Sequence, residues 1–143
     1  MQDKVLVIIK PDAIQANCVG TIIADLERAG LWLLRIRNFC LIRSQVEQFL
    51  RKQYQDSTYF DNMCEHLSDT QIIACVFGIN RITYRKLKTL IGTEDAEIAT
   101  DESIRGKYGT SLVTNAVYAS PTKTQAKADI CLFFGEDVYN TEY

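Results

Sequence analysis

Five consecutive apolar residues, Val5-Leu6-Val7-Ile8-Ile9, constrain the fold more than any other stretch of the chain. A short unbroken run rich in β-branched side chains reads as a strand buried on both faces, so material must pack on either side of the sheet that contains it. Pro11 ends the run, because proline has no N–H to give to a strand ladder, and Lys10 is left at the strand's exit.

The remaining periodicity supplies that material. Val19, Ile22, Ile23 and Leu26 fall at helical spacing, with Gly30 placed to cap the helix. From Trp32 to Phe39 the period changes to two, with Leu34 and Ile36 on one face and Arg35 and Arg37 on the other. Ser44 is placed to cap a helix carrying Val46, Phe49 and Leu50, and Tyr59 to Leu67 is long enough for a second, forming a helical hairpin beside the sheet. Gln71 to Phe77 reads as a strand turned by Gly78 and Asn80. Tyr84, Leu87 and Ile91 form the next helical stripe, closed by Gly92, and the polar segment Thr93 to Ser103 reads as a long loop. Asn115 to Tyr118 supplies a short fourth strand. A last helix carries Ala126, Ile130, Phe133 and Phe134, capped at Thr122 and stopped at Gly135. This order suits a ferredoxin-like α+β sandwich, a four-stranded antiparallel sheet covered by helices.

With 143 residues, 47% of them hydrophobic, the chain fits a single domain over residues 1–143 that buries roughly two-thirds of its unfolded surface. The net charge of −2 and the lack of any dense Lys/Arg run argue against nucleic acid as a partner. Five cysteines (Cys18, Cys40, Cys64, Cys75 and Cys131) contain no C-x-x-C pair, which fits a reducing compartment. His66 is the only histidine and has no ligand spacing around it, so no directly bound metal is expected. No apolar stretch approaches the roughly 20 residues of a membrane span. The start, Met1-Gln2-Asp3-Lys4, has no secretory pattern, and a cytoplasmic location is the expectation.

Three motifs in order, Val5 to Ala13 with Lys10-Pro11-Asp12, then Ser103-Ile104-Arg105-Gly106, then Asn115-Ala116-Val117-Tyr118-Ala119-Ser120, resemble those of nucleoside diphosphate kinases. The resemblance runs to Leu132-Phe133-Phe134 and implies the same sandwich fold, nucleoside di- and triphosphates as ligands, Mg²⁺ carried on their phosphates, and a homo-oligomer, hexameric or tetrameric. It implies that Lys10, Tyr54, Arg105, Asn115 and Ser120 surround the phosphates, ribose and nucleophile. Tyr59 and Phe60 match an aromatic pair of which one, here Tyr59, stacks on the base, and Leu112 closes the opposite side. Lys10 and Arg105 are suited to offset charge on transferring phosphoryl oxygens, and Gly106 to let the backbone approach a ligand.

The departures are as informative. Lys88 stands at the position of a phosphate-binding arginine and lacks its planar fork. Glu94 stands where the family has a phosphate-contacting threonine, with Thr93 beside it as a substitute. Pro121 replaces an aspartate, and Asp129 replaces the glutamate that orients the nucleophile. The segment from Tyr54 to Tyr59 is shorter than the family form by about three residues. Above all, Tyr118 occupies the position of the catalytic histidine. A neutral imidazole offers a lone pair at pH 7, whereas a phenol with an ordinary pKa of about 10 is almost wholly protonated there. Lys10 and Arg105 are the groups expected to lower that pKa. The leading expectation is a nucleoside diphosphate kinase homologue that binds nucleotides with weak or absent phosphoryl transfer, a pseudoenzyme. Two alternatives stand beside it: an active kinase converting ATP and a nucleoside diphosphate to ADP and a triphosphate, or an altered form of one, and a nucleotide-independent structural or partner-binding protein.

Overall fold

The computed structural model describes residues 2–80 and 82–143; Met1, which opens the N-terminal segment read above, lies outside them. The apolar run forms β1 (Lys4–Ile9), at the centre of a four-stranded sheet with β2 (Trp32–Cys40), β3 (Gln71–Gly78) and β4 (Val117–Ala119) in the order β2-β3-β1-β4. All pairings are antiparallel, with Val7 opposite Cys75 on one side and Ile8 opposite Tyr118 on the other.

The unbroken apolar character of β1 has a direct cause. Val5, Val7 and Ile9 join one buried cluster, while Leu6 and Ile8 join a second on the opposite face. All five side chains are fully buried, each contributing about 2 kcal/mol of hydrophobic transfer energy. The first cluster is completed by Ala13 of α1 (Pro11–Gln15), Ile22 and Leu26 of α2 (Val19–Arg28), Leu87 and Ile91 of α5 (Tyr84–Ile91) and Ile104 of α6 (Ile104–Tyr108). The second is completed by Val46, Phe49 and Leu50 of α3 (Arg43–Tyr54), Met63, Cys64 and Leu67 of α4 (Phe60–Leu67), and Ile130 and Phe133 of α7 (Lys123–Phe134), with Tyr139 from α8 (Glu136–Asn140).

Three details differ from the sequence reading. In β2 the register shifts between Leu33 and Arg35, so strict alternation is lost. Leu33 packs on the first cluster, Leu34 on the second, and Ile36 is 50% exposed on this edge strand. Helix α3 begins one residue before Ser44, and Gln45 Oε1 accepts the Ile42 N–H at 3.0 Å, which replaces a serine cap. The short helices α1, α6 and α8 were absent from the periodic pattern, since a five-residue helix spans too few turns to show one. Pro11, read only as a strand stop, also opens α1 at its first position, where its fixed φ is favourable and its missing N–H goes unneeded.

Candidate functional site

The short helix α6 and the loop before it place Arg105. Ser103 caps this helix, its Oγ accepting the Gly106 N–H at 3.0 Å, and Arg105 is carried inward with 8% exposure. Arg105 Nη2 and Nε reach the Val117 carbonyl at 3.1 and 3.3 Å, and Nη1 reaches the Gly92 carbonyl at 3.0 Å. One guanidinium thus ties the loop after α5 to β4. Gly106 faces the loop rather than a ligand: a Cβ there would stand 1.9 Å from the Thr100 carbonyl oxygen. Close chain packing explains that glycine.

Arg105 lines a cleft of about 630 Å³ together with Tyr54 from the end of α3, Lys88 from α5, Thr93 and Glu94 from the loop, and Ser120 and Pro121 beyond β4. The Tyr54 hydroxyl donates to Glu94 Oε1 at 2.7 Å. Burial, followed by the hydrogen bond and charge of Glu94, pushes the Tyr54 phenol above its usual range.

Lys10 and Asn115 lie outside the cleft lining and are joined to each other. Lys10 Nζ donates to Asn115 Oδ1 and to the Val113 carbonyl, both at 2.8 Å, while Asn115 Nδ2 donates to the Glu94 and Leu112 carbonyls at 2.8 and 3.1 Å. Desolvation pulls the Lys10 ammonium down to about 8, against the opposing charge of Asp12 and, more weakly, Glu94; Arg105 adds to the lowering.

Tyr118, on β4, is 4% exposed, with its ring edge-on to Phe49 at 4.9 Å. Its hydroxyl donates to Asp129 Oδ2 at 2.5 Å and accepts from Gln53 Nε2 at 2.7 Å. Asp129 sits on the buried face of α7 and also accepts from Ser120 Oγ at 2.8 Å and from Gln125 Nε2 at 2.8 Å. Burial raises the Asp129 carboxyl above its usual range, although these three donors pull it back. Burial also raises the Tyr118 phenol far above its usual range, and the Asp129 charge and hydrogen bond add to this. The expected lowering by Lys10 and Arg105 is therefore overturned: burial of the phenol, reinforced by the carboxylate in contact with it, sets the direction.

Tyr59, Phe60 and Leu112 are not among the cleft-lining residues. Tyr59 is 44% exposed at the start of α4, Phe60 packs on the second core cluster, and Leu112 is half-buried. Sequence reasoning gave no role to Gln53, Gln125 or His66, and none to Asp12 beyond its place in the first motif. Of the other three only Gln125 carried a signal, its spacing of four from Asp129 on one helix. His66 lies on α4, yet its Nε2 is 2.9 Å from Asp12 Oδ1, and Asp12 Oδ2 accepts the Ala116 N–H at 2.9 Å. Ala116 has φ +73°, a left-handed conformation unfavourable for a residue with a Cβ. Its carbonyl accepts from the Lys10 N–H at 2.9 Å, so both sides of the strained residue are clamped. Burial pushes the Asp12 carboxyl up, but His66, the Ala116 N–H and Lys10 together leave it below the usual range.

The nucleoside diphosphate kinase family model matches residues 3–139. The chain belongs to the nucleoside diphosphate kinase family. It is 36% identical over 139 residues to the nucleoside diphosphate kinase of Haemophilus ducreyi, covering 96% of this chain and 98% of that protein. It is 32% identical over 133 residues to that of Persephonella marina, covering 92% and 93%. Among solved structures, the apo enzyme from Encephalitozoon cuniculi superposes with a TM-score of 0.88 at 26% identity, covering 98% of this chain and 94% of that one. The Halobacterium salinarum enzyme in complex with CDP gives 0.85 at 25% identity, covering 96% and 90%. The ferredoxin-like antiparallel sandwich is common to this family fold.

Proposed function

We propose that this family member binds nucleoside di- and triphosphates in the Arg105 cleft and transfers the γ-phosphoryl group weakly or not at all. The observation that carries the second half is the Tyr118 hydroxyl, held between Asp129 and Gln53 in a buried setting that disfavours its anion. A phenol kept protonated by burial is a weaker nucleophile than a neutral imidazole, and the Gln53 amide occupies one lone pair of its oxygen.

Binding is supported by the cations Lys88 and Arg105 in one cleft, with Lys10 held by Asn115 close to the same loop, and by the CDP complex of the Halobacterium salinarum relative. Among the described residues no cluster of three or more His, Cys, Asp or Glu is arranged to hold a metal, and Glu94 is the one carboxylate lining the cleft. Such a donor set fits Mg²⁺ that arrives on the nucleotide phosphates, with Glu94 the one carboxylate of the lining that would be available to it; its chemistry would be to neutralise phosphate charge. Lys88 and Arg105 would position the phosphates, and Tyr54 would fix the loop that carries Glu94. Assembly as a homo-oligomer and a cytoplasmic location belong to the same proposal. Among the described residues no helix is long and apolar enough to cross a membrane.

The test is γ-phosphoryl transfer from ATP to a second nucleoside diphosphate by the native chain and by Tyr118→His, beside calorimetry with ADP and ATP. The expected result is binding by both, and transfer in the histidine variant exceeding that of the native chain. Robust transfer by the native chain would refute the second half, and no binding at millimolar nucleotide would refute the first.

A further inference from the structure

The cleft contains a fixed anion that the chemistry of phosphate binding does not call for. Lys88 and Arg105 are the cationic side chains in its lining, and Glu94 stands among them. Glu94 is not a freely swinging surface carboxylate. Its Oε1 accepts from the Tyr54 hydroxyl at 2.7 Å, its backbone carbonyl accepts from Asn115 Nδ2 at 2.8 Å, and two residues earlier the Gly92 carbonyl is held by Arg105 Nη1 at 3.0 Å. The loop is therefore tied at three points, to Tyr54 and Arg105 of the cleft lining and to Asn115 beside it.

The charge of Glu94 acts on two buried cations. It favours the charged forms of both Lys10 and Arg105, in each case against the larger effect of desolvation. Its charge thus bears on both groups, on Lys10 less than that of Asp12, and a phosphate entering the cleft has to share them with it.

We propose that Glu94 is a specificity-determining residue, a built-in anion that turns the cleft against added phosphate charge and favours nucleotides with fewer phosphates over triphosphates. The proposal rests on the nucleotide-binding reading above. Each further phosphate charge meets a cation partly neutralised by Glu94 and, in addition, the repulsion of the carboxylate itself. For unit charges several ångströms apart in a solvent-open cleft, this amounts to about threefold in affinity per added charge, and so to about tenfold for the two charges that separate ATP from AMP. Tyr54 makes the discrimination firm, because its hydrogen bond opposes rotation of the carboxylate out toward solvent.

The experiment is calorimetric titration of AMP, ADP and ATP, in EDTA to exclude metal bridging, into the native chain and into Glu94→Gln. The amide keeps an acceptor for the Tyr54 hydroxyl and removes only the charge. Glu94 is exposed, so the variant is expected to fold, and circular dichroism checks it. The expected result is ATP binding tightened about tenfold while AMP changes less than about threefold, so that the ratio of the AMP to the ATP dissociation constant rises. Nucleotide binding with that ratio unchanged overturns the role of Glu94 and leaves the nucleotide reading intact. No binding of any of the three by either protein overturns both.

Discussion

Replacing Tyr118 by phenylalanine isolates the hydroxyl from the ring. The edge-on packing against Phe49 is retained, while the donor to Asp129 Oδ2 and the acceptor for Gln53 are removed. A hydrogen bond to an ionised partner contributes about 1.5–3 kcal/mol. Asp129 keeps Ser120 on Oδ2 and Gln125 on Oδ1, which argues for the middle of that range, about 2 kcal/mol at neutral pH. For a chain of this size that corresponds to a fall in Tm of about 6 °C. The loss depends on pH, with a definite sign. The folded-state pKa of Asp129 is raised above 3.8, so between the unfolded and folded values the native chain holds the proton more tightly. Its contribution to stability is then present at acid pH and declines as pH rises through the folded value. Tyr118 is one of the donors that restrain this rise, so the phenylalanine variant carries a higher Asp129 pKa and a steeper decline. Below the unfolded pKa the lost bond is between neutral groups and contributes about 1 kcal/mol. Urea denaturation from pH 4 to pH 8, at unchanged m-value, measures the difference directly. A destabilisation that stays constant over that interval would refute the assignment of the hydroxyl to a charged Asp129.

Three further outcomes follow from the same geometry. With the Lys10 pKa at about 8 against 10.5 unfolded, the unfolded chain binds more protons between these values, so this group's contribution to stability rises with pH across that window; nucleotide affinity should weaken from pH 7 to pH 9 in calorimetry, and Lys10→Gln should lose that dependence. Gly106→Ala places a Cβ against the Thr100 carbonyl and should lower stability by about 2–3 kcal/mol in urea melts, as overpacking of a rigid site does. Asp12→Asn weakens the clamp on Ala116 and should destabilise the chain by about 1–3 kcal/mol; because the Asp12 pKa is depressed, its contribution is present above 3.8 and vanishes as pH falls through the folded value, so native and variant melting temperatures should converge in acid.

The parts of this molecule legible in the sequence are those where one physical rule acts alone. The β1 run is apolar at every position because both faces are covered, and α2, α5 and α7 show their stripes because each has one buried side. Edge strand β2 resisted the same treatment, since the shift after Leu33 moves Ile36 away from any buried face. At the site, residue type marked the cations and Tyr118, but it held no information on which group each contacts. Arg105 turns its fork onto the Val117 carbonyl, and Tyr118 takes its electrostatics from Asp129. Spacing gives neither partner, because both depend on how β4 lies against α6 and α7; only the family resemblance marks Asp129 as the group beside the nucleophile position. The Asp12, His66 and Ala116 clamp was invisible for the same reason: its three members lie on α1, α4 and the approach to β4, and only the tertiary fold brings them together.

Under the proposed function, Tyr118 gives a physical reason why a retained cleft and weak or absent transfer are separable. The Tyr118 phenol packs edge-on against Phe49 and finds hydrogen-bond partners on both sides, so no polar atom is left unsatisfied at that hydroxyl. The residues that would meet phosphate, Lys88 and Arg105, are placed by α5 and α6, and the Tyr118 hydroxyl bonds instead to Gln53 and Asp129. On the proposed reading, nucleotide binding and phosphoryl acceptance therefore draw on different interactions in this fold. Changes at the acceptor can accumulate without dismantling the binding site, and Tyr118→His can test the acceptor without rebuilding it.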